Sequence, residues 1–194
     1  MDPLLIAAWL LLAIATSASA GLLILQLGLQ RVFAVAPQLK QNRQQSAPDT
    51  TLTLVIPAYN EESNISACLE SVLSSEPPCG DWTVLVVDDD STDDTTVLAR
   101  RTAESYSAAT PDVTLLQAGP CPSGQRWVGK NWACARAMDQ VTSTWVVFID
   151  ADVRLRPDAL RRALVQAIEE QADLLSLAPR LSCGCLAEWM VQPI

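Results

Sequence analysis

From residue 51 onward the sequence alternates short apolar runs with segments of helical periodicity, and this alternation limits the folds that the chain can adopt. The runs at residues 51–56, 82–87, 113–116 and 145–149 are rich in β-branched and apolar side chains, as expected for strands. Two of them are almost wholly apolar, which is typical of strands covered on both faces. A strand–helix–strand order predicts an α/β fold with an open, mostly parallel sheet and helices on both faces.

Capping and turn residues indicate where the helices between these strands begin and end. Helices are predicted at residues 65–73, from a cap at 91–94 to about Tyr106, at 131–140, and from Pro157 to Gln171. A fifth strand is predicted at residues 173–178, directly after the last of these helices.

Polar clusters follow three of the predicted strands. They lie at residues 57–62 (PAYNEE), 88–93 (DDDSTD) and 150–152 (DAD). Ligands of open parallel sheets bind at the carboxyl ends of the strands, which share one edge of the sheet. Up to eight carboxylates would gather at that edge, which is electrostatically unfavourable unless a cation is bound. For a single acidic loop, a helix cap or a solvated turn would be the simpler interpretation.

Asp150 and Asp152 are the best candidates for metal ligands. They are two residues apart across a strand-to-loop turn, so both can direct oxygen atoms at one hard divalent cation. Such a cation keeps several waters and takes its remaining ligands from the phosphates of a substrate. The expected ligand of this edge is therefore a metal-bridged pyrophosphate.

Lys130 ends a loop at residues 119–130 (GPCPSGQRWVGK) that glycine and proline residues interrupt. Together with Arg126 and the start of the following helix, Lys130 can supply positive potential to an anionic ligand. The alternative is a solvated lysine in the first turn of that helix. Trp127 and Trp132 flank Lys130 and can either stack on a sugar ring or fill the core.

A long uncharged segment precedes the α/β region. No charged residue occurs from Pro3 to Gln30, and 13 of residues 4–29 are Leu or Ile. Such a segment is long enough to cross a hydrocarbon core of about 30 Å as a helix. We therefore expect a transmembrane anchor at residues 1–31 and a polar, Gln-rich linker at residues 32–50.

The charges around this segment predict its orientation. Only Asp2 precedes it, whereas Arg31, Lys40 and Arg43 follow it. The positive-inside rule therefore places the rest of the chain in the cytoplasm. The alternatives to an anchor are a signal peptide cleaved near residues 18–20 and a buried core helix.

The composition excludes several kinds of site. The chain has no histidine, which excludes a Ser-His-Asp triad, a Cys-His dyad and a His-ligated zinc ion. A net charge of −9 opposes binding to nucleic acid. The six cysteines form no C-x-x-C pair, so we expect most of them to be buried thiols in a reducing compartment.

The polar clusters, taken in order, resemble a known family. The stretches at residues 55–62 (VIPAYNEE), 86–93 (VVDDDSTD) and 148–152 (FIDAD) resemble the family 2 glycosyltransferases of the GT-A fold. The resemblance covers residues 51–180 and implies a Rossmann-like domain that binds a nucleotide sugar. The stretch at residues 127–133 (WVGKNWA) resembles the branch associated with hopanoid and carotenoid biosynthesis.

Taken with the N-terminal segment and its flanking charges, the resemblance implies a membrane-anchored enzyme with its catalytic domain in the cytoplasm. Its donor substrate would be a nucleoside-diphosphate sugar, and its acceptor a lipid of the polyisoprenoid, carotenoid or hopanoid type. Transfer would invert the anomeric centre and depend on Mg²⁺ or Mn²⁺. The metal would act as Lewis acid and template, and a carboxylate base would deprotonate the acceptor hydroxyl.

The resemblance also implies roles for individual residues. In this family the ends of the first two strands hold the base and ribose of the donor, which carries over to Pro57, Ala58, Tyr59, Glu61, Asp88 and Asp89. The D-x-D motif, here Asp150 and Asp152, would hold the metal on the donor diphosphate, and Lys130 would stabilise that diphosphate. Asp90 stands where the family usually has glycine, so it should tolerate a left-handed backbone less well.

The catalytic base is unassigned. In the family it lies well downstream of D-x-D and is followed by a Q-x-x-R-W-type motif, and this sequence has neither. Residues 181–194 resemble the start of a membrane-associated acceptor region, so we expect a chain truncated at its C-terminus.

Two other functional classes remain open. One is a catalytically incomplete fragment or pseudoenzyme that retains only nucleotide-sugar binding. The other is a phosphoacceptor receiver domain. Residues 84–90 (VLVVDDD) resemble the acidic opening of such a domain, in which Asp150 would be the phosphorylated residue. A full strand–helix unit precedes that opening, and no lysine follows Asp150, where a receiver needs one.

Overall fold

The computed structural model of the chain describes residues 2–35, 39, 46–106, 111–124, 126, 127 and 130–178. The expected acceptor region at residues 181–194 lies outside these described residues. The chain divides into two compact units, Met1–Leu39 and Lys40–Ile194. The described residues of the first unit form a single helix, and those of the second form the predicted sheet and its helices.

Helix α1 (Pro3–Val35) forms the N-terminal unit. Its segment Leu5–Arg31, of 27 residues and mean hydropathy 2.1, is long and apolar enough to cross a membrane. At 1.5 Å per residue it is about 40 Å long. The Ser17 hydroxyl donates to the Ala13 carbonyl at 2.7 Å, so this polar group is satisfied within the helix. Such local hydrogen bonds lower the free-energy cost of placing a hydroxyl group in an apolar environment.

The second unit is built on four parallel strands. These are β1 (Thr51–Ala58), β2 (Asp81–Asp88), β3 (Asp112–Gln117) and β4 (Trp145–Phe148). Their order in the sheet is β3-β2-β1-β4. Every neighbouring pair is parallel, which confirms the predicted open parallel sheet.

The four predicted helices of this unit are also present. They are α2 (Ile65–Leu73), α3 (Thr95–Ser105), α4 (Asn131–Met138) and α5 (Ala159–Glu169). Helix α2 has the predicted bounds, whereas α4 and α5 are each shorter than the sequence pattern predicts by a few residues at their ends. Helix ends fray and depend on local capping, which periodicity does not report.

The side chains of β1 alternate between two apolar clusters, one on each face of the sheet. On one face Leu54 and Ile56 belong to a cluster that includes Leu69 of α2 and Leu160 of α5. On the other face Val55 packs in a smaller cluster with Leu85, Val87 and two alanines of α4, Ala133 and Ala137. These small residues let α4 lie close against β1 and β2. Helices on both faces are therefore confirmed.

The predicted fifth strand is wrong. Residues 173–178 adopt no strand, and Leu174 is 85% exposed. The apolar residues of this segment favoured a strand, but a strand also needs a hydrogen-bonded neighbour. Within the described part of the chain, no segment pairs with the outer edge of β4.

The strand register brings the expected site residues to one edge. Ala58 at the end of β1 lies opposite Asp88 at the end of β2, and Asp88 lies opposite Gln117 at the end of β3. Phe148 of β4 lies opposite Val55, so the chain reaches Asp150 two residues further along the same edge. The three polar clusters therefore meet where the parallel sheet predicted them.

Candidate functional site

The loops that follow β1 and β2 are joined by hydrogen bonds. The Asn60 N–H donates to the Ser91 hydroxyl at 2.9 Å, and the Asn60 side-chain oxygen accepts the Thr92 N–H at 2.9 Å. The Glu61 N–H donates to the Thr95 hydroxyl at 2.7 Å. These bonds hold the two loops as one rigid unit, with Tyr59 59% exposed beside them.

Two residues of these loops have left-handed backbone conformations. Asn60 has a φ of 53° and Asp90 a φ of 65°. Asn and Asp tolerate this region better than other L-residues, but glycine adopts it without strain. Asp90 therefore occupies a left-handed position in the turn, where the resemblance led us to expect glycine.

Asp88 and Asp89, adjacent in sequence, have different surroundings. Asp88 is 5% exposed, and one of its carboxylate oxygens accepts the Ser91 N–H at 3.2 Å. Its other oxygen, Oδ1, has no hydrogen-bond partner among the described residues. Asp89 is half-buried. Its burial raises the pKa of its carboxyl most, and the negative charges of Asp88 and Asp90 raise this pKa further. Asp89 is thus the more accessible carboxylate of the pair.

Pro57 and Ala58 have buried side chains, so only their backbone can approach a ligand. The Ala58 carbonyl accepts the Asp89 N–H at 2.9 Å, which ties the end of β1 to the Asp88–Asp89 turn. Their contribution to the edge is the shape of the backbone rather than side-chain chemistry.

Arg154 connects the third loop to the first, a role that motif reasoning missed. Its guanidinium donates to the Asn64 side-chain oxygen at 3.4 Å and to the Val153 carbonyl at 3.1 Å. The Asn64 side-chain amide in turn donates to the Glu61 carboxylate at 2.9 Å. The available signal was a cation two residues after Asp152, close to the acidic D-x-D motif.

Cys68 of α2 lies buried beneath the acidic loops. Its thiol donates to the Asp150 carbonyl at 3.7 Å. Burial raises the pKa of Cys68 from 9.0 to about 12. Arg154 acts in the opposite direction, while the charges of Asp152, Glu61 and Asp150 raise this pKa further. Carboxylates from the first and third loops therefore converge around one buried thiol.

Lys130 and Asp150 form an ion pair at this edge. Lys130 is the residue before α4, and Asp150 follows β4, so the pair joins two segments that are 20 residues apart in sequence. The two side chains are 52% and 57% exposed. An ion pair this accessible is weak in water and can be exchanged for another partner.

Trp127 and Trp132 form an aromatic pair near Lys130. Their ring centroids are 5.5 Å apart at an interplanar angle of 51°. The Trp132 indole N–H donates to the Gly119 carbonyl at 2.8 Å, and Arg136 lies over its ring at 5.8 Å. Trp132 is half-buried, whereas Trp127 is 41% exposed.

The carboxylates of the edge fit one kind of metal ion. Within the described residues, no three Cys, Asp or Glu side chains are grouped so that they could hold an ion by themselves. Asp150 and Asp152 are both exposed at the edge, where two carboxylates would leave most coordination positions open. Two exposed carboxylates are hard oxygen ligands of the kind that Mg²⁺ and Mn²⁺ prefer, and both ions take further ligands from water or phosphate.

The sequence matches the glycosyl transferase family 2 over residues 53–193. It is 35% identical over 131 residues to the 4,4'-diaponeurosporenoate glycosyltransferase of Staphylococcus aureus strain bovine RF122 / ET3-1. That match covers 66% of this chain and 32% of the relative. The chain therefore spans about a third of the length of this relative, and the same holds for the enzyme of strain MRSA252.

Solved structures share the fold. The mannosyltransferase PcManGT from Pyrobaculum calidifontis, in complex with GDP-Man and Mn²⁺, superposes with a TM-score of 0.56 at 26% identity, covering 80% of this chain and 42% of that one. S. aureus TarS superposes with a TM-score of 0.51 at 25% identity, covering 62% and 20%. These likenesses confirm the expected GT-A fold. The receiver-domain alternative is accordingly set aside, because the chain belongs to glycosyl transferase family 2.

Proposed function

We propose that this chain is the donor-binding part of a membrane-anchored glycosyltransferase. The enzyme transfers a sugar, with inversion, from a nucleoside-diphosphate sugar to a lipid-type acceptor of the polyisoprenoid, carotenoid or hopanoid class. The observation that carries the proposal is the single edge at which Lys130, Asp150 and the joined loops after β1 and β2 meet.

The base and ribose of the donor bind at the ends of β1 and β2 in this proposal. Tyr59 is exposed and Asp89 partly exposed there, and Glu61 follows Tyr59 by two residues in the first loop. Asp88 acts differently from the other residues, because its buried carboxylate holds the turn that presents Asp89. Pro57 and Ala58 shape the floor of the site through their backbone.

The donor diphosphate binds between Lys130 and the Asp150–Asp152 pair. Asp150 and Asp152 would hold the metal ion, and Lys130 would leave Asp150 to contact phosphate oxygens. Bound Mg²⁺ or Mn²⁺ supplies Lewis-acid chemistry that neutralises the departing nucleoside diphosphate. The mannosyltransferase PcManGT, a structural relative at 26% identity, was solved with GDP-Man and Mn²⁺, which supports this combination of ligands.

The membrane and the acceptor are linked in the proposal. Residues 1–31, which contain the apolar segment Leu5–Arg31, would serve as anchor and residues 32–50 as linker, although α1 continues to Val35. Residues 51–180 would form a cytoplasmic GT-A domain. The acceptor would bind to a region that includes residues 181–194, and the catalytic base stays unassigned. The S. aureus relative, named for a carotenoid-type substrate, supports an apolar acceptor.

Isothermal titration calorimetry of the full chain in detergent tests the donor site. UDP-sugars and GDP-sugars are titrated with and without Mn²⁺ into the unaltered chain and into Asp150→Asn and Asp152→Asn. Asp112→Asn is the matched control. It removes the same charge at the start of β3, which is the end of the strand away from the proposed donor site.

We expect metal-dependent heat with at least one nucleotide sugar, strongly reduced in the Asp150 and Asp152 variants and unchanged in the Asp112 variant. Absence of metal-dependent heat with every nucleotide sugar would contradict the donor-site proposal. Unchanged binding in both carboxylate variants would contradict the metal role alone.

A further inference from the structure

The segment around the start of α4 connects opposite ends of the sheet edge. The strands are ordered β3-β2-β1-β4, so Gly119, just after β3, and Asp150, after β4, stand three strand spacings apart. At the usual interstrand spacing this is about 14 Å. Lys130 contacts Asp150 at one end, and Trp132, two residues later, contacts the Gly119 carbonyl at the other. The ends of β1 and β2 lie between these contacts.

The Trp132 ring is fixed by several contacts. Its indole N–H bonds to Gly119, and the Arg136 guanidinium lies over its ring. Arg136 is itself held by the Ala118 carbonyl at 3.2 Å and by an ion pair with Asp139. Trp127 rests against this fixed ring and still exposes 41% of its surface. A flat aromatic surface is thus presented on the β3 side of the edge in a defined orientation.

The proposed function determines which part of a donor would reach this surface. A diphosphate between Lys130 and Asp150 occupies the β4 side. The nucleobase is the opposite end of a nucleotide from its diphosphate, and a base beside Asp89 at the end of β2 therefore faces the β3 side. Every nucleobase has a π-face that stacks on an aromatic side chain, which is a sequence-tolerant source of affinity.

From this juxtaposition we infer that Trp127 is the stacking platform for the nucleobase of the donor, with Trp132 and Arg136 as the residues that position it. The inference rests on the proposed function, because it takes the location of the diphosphate from that proposal. It assigns the affinity for the nucleoside part of the donor to the loop before α4, separately from the carboxylates that hold the diphosphate.

Three ligands and three variants test this assignment in the full chain. UDP, GDP and inorganic pyrophosphate are titrated in the presence of Mn²⁺, by calorimetry and by tryptophan fluorescence. Trp127→Ala removes the ring, and Trp127→Phe keeps an aromatic face without the indole. Trp145→Phe is the control, because Trp145 begins β4 at the opposite end of the strand from Asp150. Far-ultraviolet circular dichroism confirms that each variant is folded.

We expect Trp127→Ala to weaken UDP and GDP binding by roughly 10- to 100-fold, the range for loss of one base–aromatic stack, and to leave pyrophosphate binding unchanged. Trp127→Phe should retain most of the affinity but lose the fluorescence quenching that nucleotides cause, while Trp145→Phe should retain both. Unchanged nucleotide affinity in Trp127→Ala would overturn the platform alone, as would an equal loss of pyrophosphate affinity. Failure of the unaltered chain to bind any of the three ligands would overturn the proposed function together with the platform.

Discussion

The ammonium group of Lys130 pairs with the carboxylate of Asp150, and this contact joins the start of α4 to the loop that follows β4. The two residues have separate roles in the proposed donor site, one toward phosphate and the other toward the metal ion. Without a donor, the Lys130 ammonium and the Asp150 carboxylate are in contact with each other. Under the proposed function, donor binding would exchange one exposed ion pair for two stronger, charge-assisted contacts.

Replacement of Lys130 by Gln should therefore have opposite effects on two ligands. Nucleoside diphosphate affinity should fall by about 10- to 100-fold, because a charged hydrogen bond to phosphate is worth about 1.5–3 kcal/mol. Affinity for Mn²⁺ alone should rise, because Asp150 no longer has a competing cation. Calorimetric titration with UDP–Mn²⁺ and with Mn²⁺ alone measures both effects.

The control for this experiment is Arg101→Gln, which removes the same charge from an exposed position on α3. It should alter neither affinity. A Lys130→Gln chain that binds Mn²⁺ and nucleotide as the unaltered chain does would contradict the exchange of partners.

Cys68 should be unreactive in the folded chain. Burial raises the pKa of its thiol from 9.0 to about 12, so almost no thiolate forms at pH 8. Iodoacetamide at pH 8 should therefore modify the exposed Cys121 and leave Cys68 unmodified until the chain is denatured, as measured by peptide mass spectrometry. Rapid modification of Cys68 in the native chain would show that the packing of α2 beneath the acidic loops is not as described.

The raised pKa of Cys68 should also make the free energy of unfolding depend on pH in alkaline solution. Below pH 9 the Cys68 thiol is neutral in both the folded and the unfolded chain, so it contributes no pH dependence. Between pH 9 and 12 the unfolded chain releases the thiol proton more readily than the folded chain, so stability falls as pH rises. Urea denaturation across this range should show a smaller loss of stability in Cys68→Ala than in the unaltered chain.

Replacement of Asp90 by Gly should stabilise the second unit. Asp90 has a φ of 65°, and relief of this conformation should raise the free energy of unfolding by about 1 kcal/mol. Asp94→Gly is the control, because Asp94 has a φ of −80°, where glycine only adds flexibility to the unfolded chain. Chemical denaturation measures both variants, and stabilisation by Asp94→Gly alone would contradict the argument.

Loss of the Asp88 carboxylate should destabilise the turn before α3. Asp88→Ala leaves the Ser91 N–H without its acceptor, which should lower the free energy of unfolding by about 1–3 kcal/mol. Asp88→Asn keeps an oxygen that can accept this bond, so it should be less destabilising. Equal stability of Asp88→Ala and the unaltered chain in urea denaturation would show that the turn does not depend on this contact.

Much of the fold follows from local sequence patterns. The β-branched runs, the helical spacing of residues 65–73 and the order of the elements were sufficient to predict a parallel sheet covered on both faces. The edge that carries the polar clusters could be predicted for the same reason, because parallel strands end on a common side. The fifth strand failed because pairing with a neighbour is not a local property, and the exposed Leu174 has no such neighbour among the described residues.

The details of the candidate site depended on contacts between distant parts of the chain. The sequence by itself determined that Asp88, Asp89, Asp150 and Asp152 lie at or just after the ends of strands, and that Lys130 precedes a helix. Only the tertiary structure decided that Asp88 is buried while Asp89 is accessible, that Lys130 meets Asp150, and that Arg154 joins the first and third loops. The physical reason is that burial and ion pairing are set by which strands become neighbours, and the order β3-β2-β1-β4 is not the order of the sequence.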